Sequence, residues 1–556
     1  MTFKHLLPVL TAMASTLHGG QLSKDLQNLP ASAMTEVLVR FTATPSNTKL
    51  NKVTIPGGTL KKSFGKLPMA YYTLSTAAVN ALTANTDVKY ASKNRVLKGA
   101  LDYANPVVNA PMAFDAGWTG TGIGIAVIDS GVNASHADLA GRVVYSENFV
   151  AGETTTEDLF GHGTHVAVIA AGNASASTGT NTDVVFRGIA PSAKIINLRA
   201  LDANGGGTDA WVVAAIDRAI ALKATYNIRV INLSLGRPVF ESYLSDPLCQ
   251  AAEAAWKAGI VVVAAAGNGG RDNTMGTGGY GTIVSPANDP YVLTVGATKD
   301  MKTTSRGDDL VTTYSSKGPT MIDHFVKPDV VAPGNLVIAG KVPGDTLMSL
   351  YPANEVPVSY YTTAGTTKTS SDYFTLSGTS MATPIVSGTV ALMLQKSSTL
   401  TPDLVKARLM RTATKGFPWS YSYTDTLTGT TYAVQHDLFT IGAGYVDAYA
   451  ALSDTSTGTG VALSPKAVYN ANNSTVTVTY NHVSGTNIIW GSNIIWGTNI
   501  IWGTNIVWGT NTVVEGNNIV WGESGVSGFN IIWGENIVWG STASFFDLAL
   551  SARGDK

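Results

Sequence analysis

Between about residues 102 and 453 the chain repeats one pattern, a short and mainly apolar run followed by a longer helix-forming stretch. Residues 123–128, 193–198, 230–233 and 260–265 are such runs, and residues 211–224 and 248–258 are two of the helical stretches. Continuous apolar runs of this length suit strands covered on both faces, which is the environment of a parallel sheet. Strands alternating with helices predict an α/β fold, a parallel β-sheet flanked by helices, with a site at the carboxyl ends of the strands. At 556 residues there is room for two or three domains. A net charge of −1 with only 13% charged residues gives no reason to expect nucleic acid or an acidic surface as partner. Cys249 is the sole cysteine, which excludes an intrachain disulfide and a cysteine-rich metal site.

Three segments within this region each place one reactive side chain among small residues. They are Val127-Ile128-Asp129-Ser130-Gly131-Val132, His162-Gly163-Thr164-His165-Val166-Ala167 and Gly378-Thr379-Ser380-Met381-Ala382-Thr383-Pro384. Asp129 closes an apolar run, while His162 and Ser380 each open a run of helix formers. A serine hydroxyl is a weak nucleophile until an imidazole takes its proton, and a carboxylate can fix the tautomer of that imidazole. The trio therefore predicts Ser380 as nucleophile, His162 as base then acid, and Asp129 as its orienting carboxylate. Each residue alone reads as a cap or turn residue; together they do not. His162 and His165 are three apart rather than four, unlike a zincin pair, so no metal site is expected from them.

In these segments, and in their order Asp, His, Ser, the chain resembles the subtilisin-like serine proteases, or subtilases. The resemblance implies a secreted serine endopeptidase acting on protein or peptide substrates, with no cofactor required for catalysis. It implies that Asn268, in the turn after strand-like residues 261–266, donates a hydrogen bond to the oxyanion. Gly205, Gly206 and Gly207 align with one strand that pairs with the substrate, and Ser234, Leu235 and Gly236 with the other. Ala265, Ala266 and Gly267 align with a wall of the primary specificity pocket. Asp138, in Ser135-His136-Ala137-Asp138-Leu139, aligns with a calcium ligand of the family. The loop 173–187 lacks the remaining ligands, so at most weak structural calcium is expected. An insertion at residues 344–372 either lines the cleft or decorates the surface.

Flanking segments complete the expected organisation. Lys4, the apolar stretch 6–14 and Ala12-Met13-Ala14 predict a signal peptide over residues 1–14. Residues 33–100 are similar to the subtilase propeptide, a small α+β inhibitor and chaperone of its own catalytic domain, here assigned to residues 102–453. Within the propeptide, residues 36–41 alternate as a half-buried strand, 77–82 suit a helix, and 88–91 with 95–97 a returning strand. A Ser/Thr/Gly-rich linker at 454–460 leads to a β-rich C-terminal region, residues 461–556. There a six-residue repeat of the type Asn-Ile-Ile-Trp-Gly-Thr carries Trp490, Trp496, Trp502, Trp508, Trp521, Trp533 and Trp539, seven of the 11 tryptophans. An even period keeps each tryptophan on one strand face, which suits a surface- or polymer-binding module and equally a structural appendage. No run is long enough for a membrane span. The competing functional class is an adhesion or scaffold protein on a catalytically idle subtilase fold.

Overall fold

A computed structural model describes residues 19–93 with gaps at 24–25, 28 and 65–67, residues 99–100, and residues 103–470 with gaps at 180, 275 and 364–367. It also describes 475–479, 483–484, 512–514 and 552–555. The expected signal segment, the run 95–97 and the seven repeat tryptophans lie outside the described residues. The chain forms two compact units, Met1–Leu97 and Lys98–Lys556.

The first unit is a small α+β layer. In Met34–Phe41 apolar and polar residues alternate, so Val37, Val39 and Phe41 face a core while their neighbours face water. That strand lies between Val88–Lys93 and Met69–Ser75, with Gly58–Phe64 outermost, all antiparallel. Gln21–Leu22 adds a parallel edge beside Val88–Lys93. The helices Asn47–Thr54 and Thr76–Ala81 supply Leu50, Val53, Ala78 and Val79 to the same core. The second helix starts where the Ser75 hydroxyl accepts the Ala78 N–H at 3.2 Å, an N-cap bond.

The second unit carries the large sheet. Its strands β1 (Gly124–Asp129), β2 (Val143–Asn148), β3 (Lys194–Arg199), β4 (Ile228–Leu233), β5 (Val261–Ala265) and β6 (Leu293–Lys299) run parallel in the order β6-β5-β4-β1-β3-β2. Every residue of β1 is buried, as its unbroken apolar sequence requires at the centre of a covered sheet. The helices α1 (His162–Ala171) and α4 (Thr379–Lys396) pack on one another, and so do α2 (Asp209–Ala221) and α3 (Pro247–Lys257). Because β1 has β3 on one side and β4 on the other, the chain changes direction across the sheet there. A crevice opens at the carboxyl ends of strands at such a point. Asp129 ends β1, and Ser234 follows the last residue of β4.

Packing continues past Ser453, where the sequence suggested that the catalytic region ends. The Arg408 Nε donates to the Ser456 carbonyl at 3.0 Å, and the Ala462 N–H to Asp403 at 2.8 Å. The Ser464 hydroxyl donates to Asp329 at 2.6 Å, and Asp329 lies fully buried between Lys327 at 2.8 Å and Lys406 at 3.2 Å. Ser456, which read as part of a linker, is instead an acceptor for Arg408, and Ser464 just beyond the linker donates into a buried ionic cluster. Beyond them, Lys466–Asn470, Thr475–Thr479 and Thr512–Val514 form a three-stranded antiparallel sheet. Among the described residues no helix is long and apolar enough to cross a membrane.

Candidate active site

β1 delivers Asp129 to the edge of the crevice, and α1 begins with His162. Both side chains are about 1% exposed, and the His162 Nδ1 stands 2.8 Å from the Asp129 Oδ1. A carboxylate there can only accept, so Nδ1 carries the hydrogen and Nε2 is left as the basic nitrogen. The Ser130 N–H donates to the same Asp129 oxygen at 2.8 Å. A second buried carboxylate, Asp158, fixes the start of α1. It accepts the Gly161 N–H at 2.7 Å, the Thr164 N–H at 2.7 Å and the Ser130 hydroxyl at 2.8 Å. Burial pushes its carboxyl above the ordinary aspartate range. Gly163 is required by close approach, since a Cβ there would come within 2.2 Å of the Gly131 carbonyl oxygen. The Asp-Ser-Gly turn and the His-Gly-Thr helix start therefore interlock at backbone distance.

Ser380 is the second residue of α4, so its N–H belongs to the first-turn donors that a helix leaves without an internal acceptor. Four residues on, Pro384 has no N–H to offer the Ser380 carbonyl. The Ser234 hydroxyl takes that place, donating to the Ser380 carbonyl at 2.9 Å, while the Ser380 hydroxyl donates to the Ser234 carbonyl at 3.1 Å. Behind them, Asn232 donates to the Ser234 hydroxyl at 2.9 Å and accepts from the Ser387 hydroxyl at 2.8 Å.

Asn268 lies in the turn after β5. Its Oδ1 accepts the Thr379 N–H at 3.0 Å and the Thr379 hydroxyl at 3.1 Å, and because an N–H can only donate, this fixes the amide orientation. The Nδ2 is buried and has no partner among the described residues. A Cβ at Gly378 would lie 3.3 Å from it, which places this donor against the turn leading into Ser380. Leaving a buried donor unpaired costs about 1–3 kcal/mol. The arrangement makes chemical sense where a negative oxygen arrives during reaction.

Gly205, Gly207, Ser234, Leu235 and Gly236 line one cleft together with His162, Phe160, Leu201 and Val212. Gly206 is not among its walls; its carbonyl and N–H close a turn on Asp202 at 2.7 and 2.9 Å. Ala265, Ala266 and Gly267 sit elsewhere, buried where the Gly267 N–H meets the Thr379 hydroxyl at 3.2 Å. The insertion after Gly344 docks beside the cleft. Its short helix Thr346–Leu350 sends the Leu347 N–H to the Phe160 carbonyl at 3.1 Å and the Thr346 hydroxyl to the Ala203 carbonyl at 2.8 Å. Asp345 caps that helix at Met348 and packs onto Gly161, next to His162. Burial, reinforced by the nearby Asp158, raises its carboxyl to about 7.

His165 is not a second ligand. Its Nε2 is 3.1 Å from the Phe374 carbonyl, and burial holds its ring neutral, with the pKa lowered to about 3. Burial likewise pushes the Cys249 thiol up, away from reactivity. The family's calcium position does not fit a cation in this chain. Asp138 is fully buried, its Oδ1 accepting the Ala176 N–H at 2.8 Å and its Oδ2 the Tyr373 hydroxyl at 2.8 Å. The loop 173–187 thus offers that carboxylate an N–H donor, where a cation needs further oxygens. Ser130, Asp158, Asn232 and Tyr373 carry no motif individually. Asp158 alone has a local signal, a short acceptor side chain a few residues ahead of the helix start at His162.

Residues 120–444 match the subtilase family. The serine protease AprX of Bacillus subtilis (strain 168) is 36% identical over 362 residues, covering 63% of this chain and 75% of that protein. Subtilisin E of the same organism is 33% identical over 382 residues, covering 67% and 83%. M-protease of Shouchella clausii is 31% identical over 359 residues, covering 64% and 76%. With a buried Asp–His pair, a serine at a helix start and an oriented amide gathered at the ends of a parallel sheet, the chain belongs to the subtilase family and is a serine endopeptidase.

Proposed function

We propose that Asp129, His162 and Ser380 form the catalytic triad of a secreted, self-processing endopeptidase. The observation that carries this reading is the 2.8 Å contact between the His162 Nδ1 and Asp129, which leaves Nε2 as the base. The Ser380 hydroxyl leaves the Ser234 carbonyl and attacks the scissile carbonyl carbon, and its proton passes to His162. The oxyanion receives hydrogen bonds from the Asn268 Nδ2 and the Ser380 N–H. Collapse expels the amine, which takes the proton from His162, and leaves an acyl-enzyme on Ser380. Water, deprotonated by the same imidazole, releases the acid. The substrate chain lies along Gly205–Gly207 on one side and Ser234–Gly236 on the other, and the apolar side chains of Leu201, Val212 and Leu235 favour apolar residues on the acyl side.

The first unit serves as the propeptide. Its span and α+β class support this, and cleavage falls between about residues 96 and 103. Secretion rests on the sequence pattern over residues 1–14. The tryptophan repeats serve as a surface- or polymer-binding element. Ser380→Ala tests triad and propeptide together. The variant retains the first unit covalently and takes no fluorophosphonate label, whereas the parent releases the unit and is labelled, both read by mass spectrometry. A processed Ser380→Ala protein, prepared free of other proteases, overturns the assignment.

A further inference from the structure

Residues 552–555 are held in the second unit by contacts that select their chemistry. The Asp555 side chain, about 1% exposed, accepts the Arg271 Nη2 at 2.7 Å and the Thr313 hydroxyl at 2.8 Å on one oxygen, and the Thr313 N–H at 2.7 Å on the other. Asn335 reads the backbone on both sides, accepting the Asp555 N–H at 2.7 Å and donating to its carbonyl at 3.0 Å. Gly554 has φ +59°, and a Cβ there would come within 2.4 Å of the Asn335 Oδ1 and 2.5 Å of the Ser377 hydroxyl oxygen. Only glycine fits before the aspartate. The Asn354 Nδ2 adds a bond to the Ala552 carbonyl at 2.7 Å.

The receptor is itself built. Arg271 donates from Nε to the Thr313 hydroxyl at 2.7 Å and from Nη1 to Asp425 at 2.9 Å, and its guanidinium lies 4.7 Å from the Tyr432 ring centre. A planar guanidinium preset in this way suits a carboxylate. Each receptor residue is a chain neighbour of a residue bonded into the turns around Asn268 and Ser380. Arg271 is three residues from Asn268, and the Gly270 N–H bonds to the Tyr314 carbonyl at 2.8 Å. Asn335 follows Gly334, whose carbonyl accepts the Gly378 N–H at 2.8 Å, and the Leu336 N–H donates to the Ser377 hydroxyl at 2.8 Å.

We propose that Arg271, Thr313 and Asn335 form a receptor for a Gly-Asp peptide, filled by Gly554-Asp555 of this chain. Its occupancy holds the Asn268 turn and the approach to Ser380 in register. Asp555 is thus a positioning residue, and that second clause rests on the oxyanion role of Asn268 proposed above. In Arg553-Gly554-Asp555 the glycine and aspartate are buried and engaged within the protein while the arginine is exposed.

The test is Asp555→Ala in the full chain, with melting temperature and steady-state kinetics on a small peptide substrate. The expected result is a melting temperature lower by about 5 °C, from loss of the charge-assisted bonds. kcat falls roughly tenfold with KM little changed, as misplacement of a reacting geometry requires. Millimolar Ala-Arg-Gly-Asp-Lys restores both, and Ala-Arg-Gly-Ala-Lys does not. Gly554→Ala, which keeps the carboxylate but crowds Asn335, shifts both in the same direction. Should Asp555→Ala not fold alone, refolding with the peptide present replaces the titration, and no recovery then overturns the proposal. A melting temperature equal to the parent's overturns the receptor. Restored stability with kcat never altered overturns the link to Asn268 alone.

Discussion

At Asn268 the two ends of one amide differ, an acceptor spent on Thr379 and a buried donor with no partner among the described residues. Asn268→Ala is expected to lower kcat by about 10² to 10³ with little change in KM, a magnitude taken from subtilisin itself rather than from this chain. Stopped assays on a chromogenic peptide measure it, and an unchanged kcat removes Asn268 from the oxyanion site. The candidates taken from the sequence, Asp129, His162 and Ser380, sit in segments whose small neighbours betray a close-packed turn, and Asn268 came only from the family resemblance. Their supports could not be read. Ser130 reaches Asp158 from 28 positions away, Asn232 reaches Ser387 across 155, and Tyr373 reaches Asp138 across 235. A hydroxyl or amide gives no periodic signal, so its partner emerges only when the fold brings the two together.

Among elements, the central parallel strands were legible because burial on both faces favours mainly apolar runs. The insertion around Thr346–Leu350 was not, because its contacts to Leu159, Phe160 and Ala203 run through backbone groups and one threonine. Two expectations belong at this scale. Asp345 has a folded pKa of about 7, set by burial, by Asp158 and against the weaker pull of Lys341, while an unfolded aspartate titrates near 3.9. Between those values the folded state holds a proton that the unfolded state has released. Stability attributable to this group therefore falls as pH rises from about 4 to about 7 and is level beyond. Asp345→Asn keeps an oxygen for the Met348 N–H and removes the slope. Its melting temperature should exceed the parent's by a few degrees at pH 8 and match it near pH 4. The second concerns Asp138. Tyr373→Phe strips a buried carboxylate oxygen of its donor and should cost about 1–3 kcal/mol in chemical denaturation. A strong chelator should leave the parent's midpoint unmoved; a chelator-sensitive midpoint would restore a cation to this position.

For the whole molecule, the chief revision concerns where the catalytic unit stops. A composition rich in Ser, Thr and Gly says that residues 454–460 can be flexible, not that they are. Ser456 and Ser464 are held by Arg408, Lys406 and Asp329 instead. A chain cut after Ser453 is therefore expected to lose stability by about 3 kcal/mol or more, since Asp329 and its two lysines lose a partner from a buried ionic cluster. A cut protein that melts with the parent would show residues 454–464 to be dispensable. Long-distance dependence of this kind also ties Ser234 to Pro384. The proline withholds the N–H that would close the helix onto the Ser380 carbonyl, and a hydroxyl 146 positions away along the chain closes it instead. In descent these two sites therefore form one character. A lineage that trades the proline for a residue with an N–H frees its partner serine to drift, and one that loses the serine first passes through an ancestor with a stranded carbonyl behind its nucleophile.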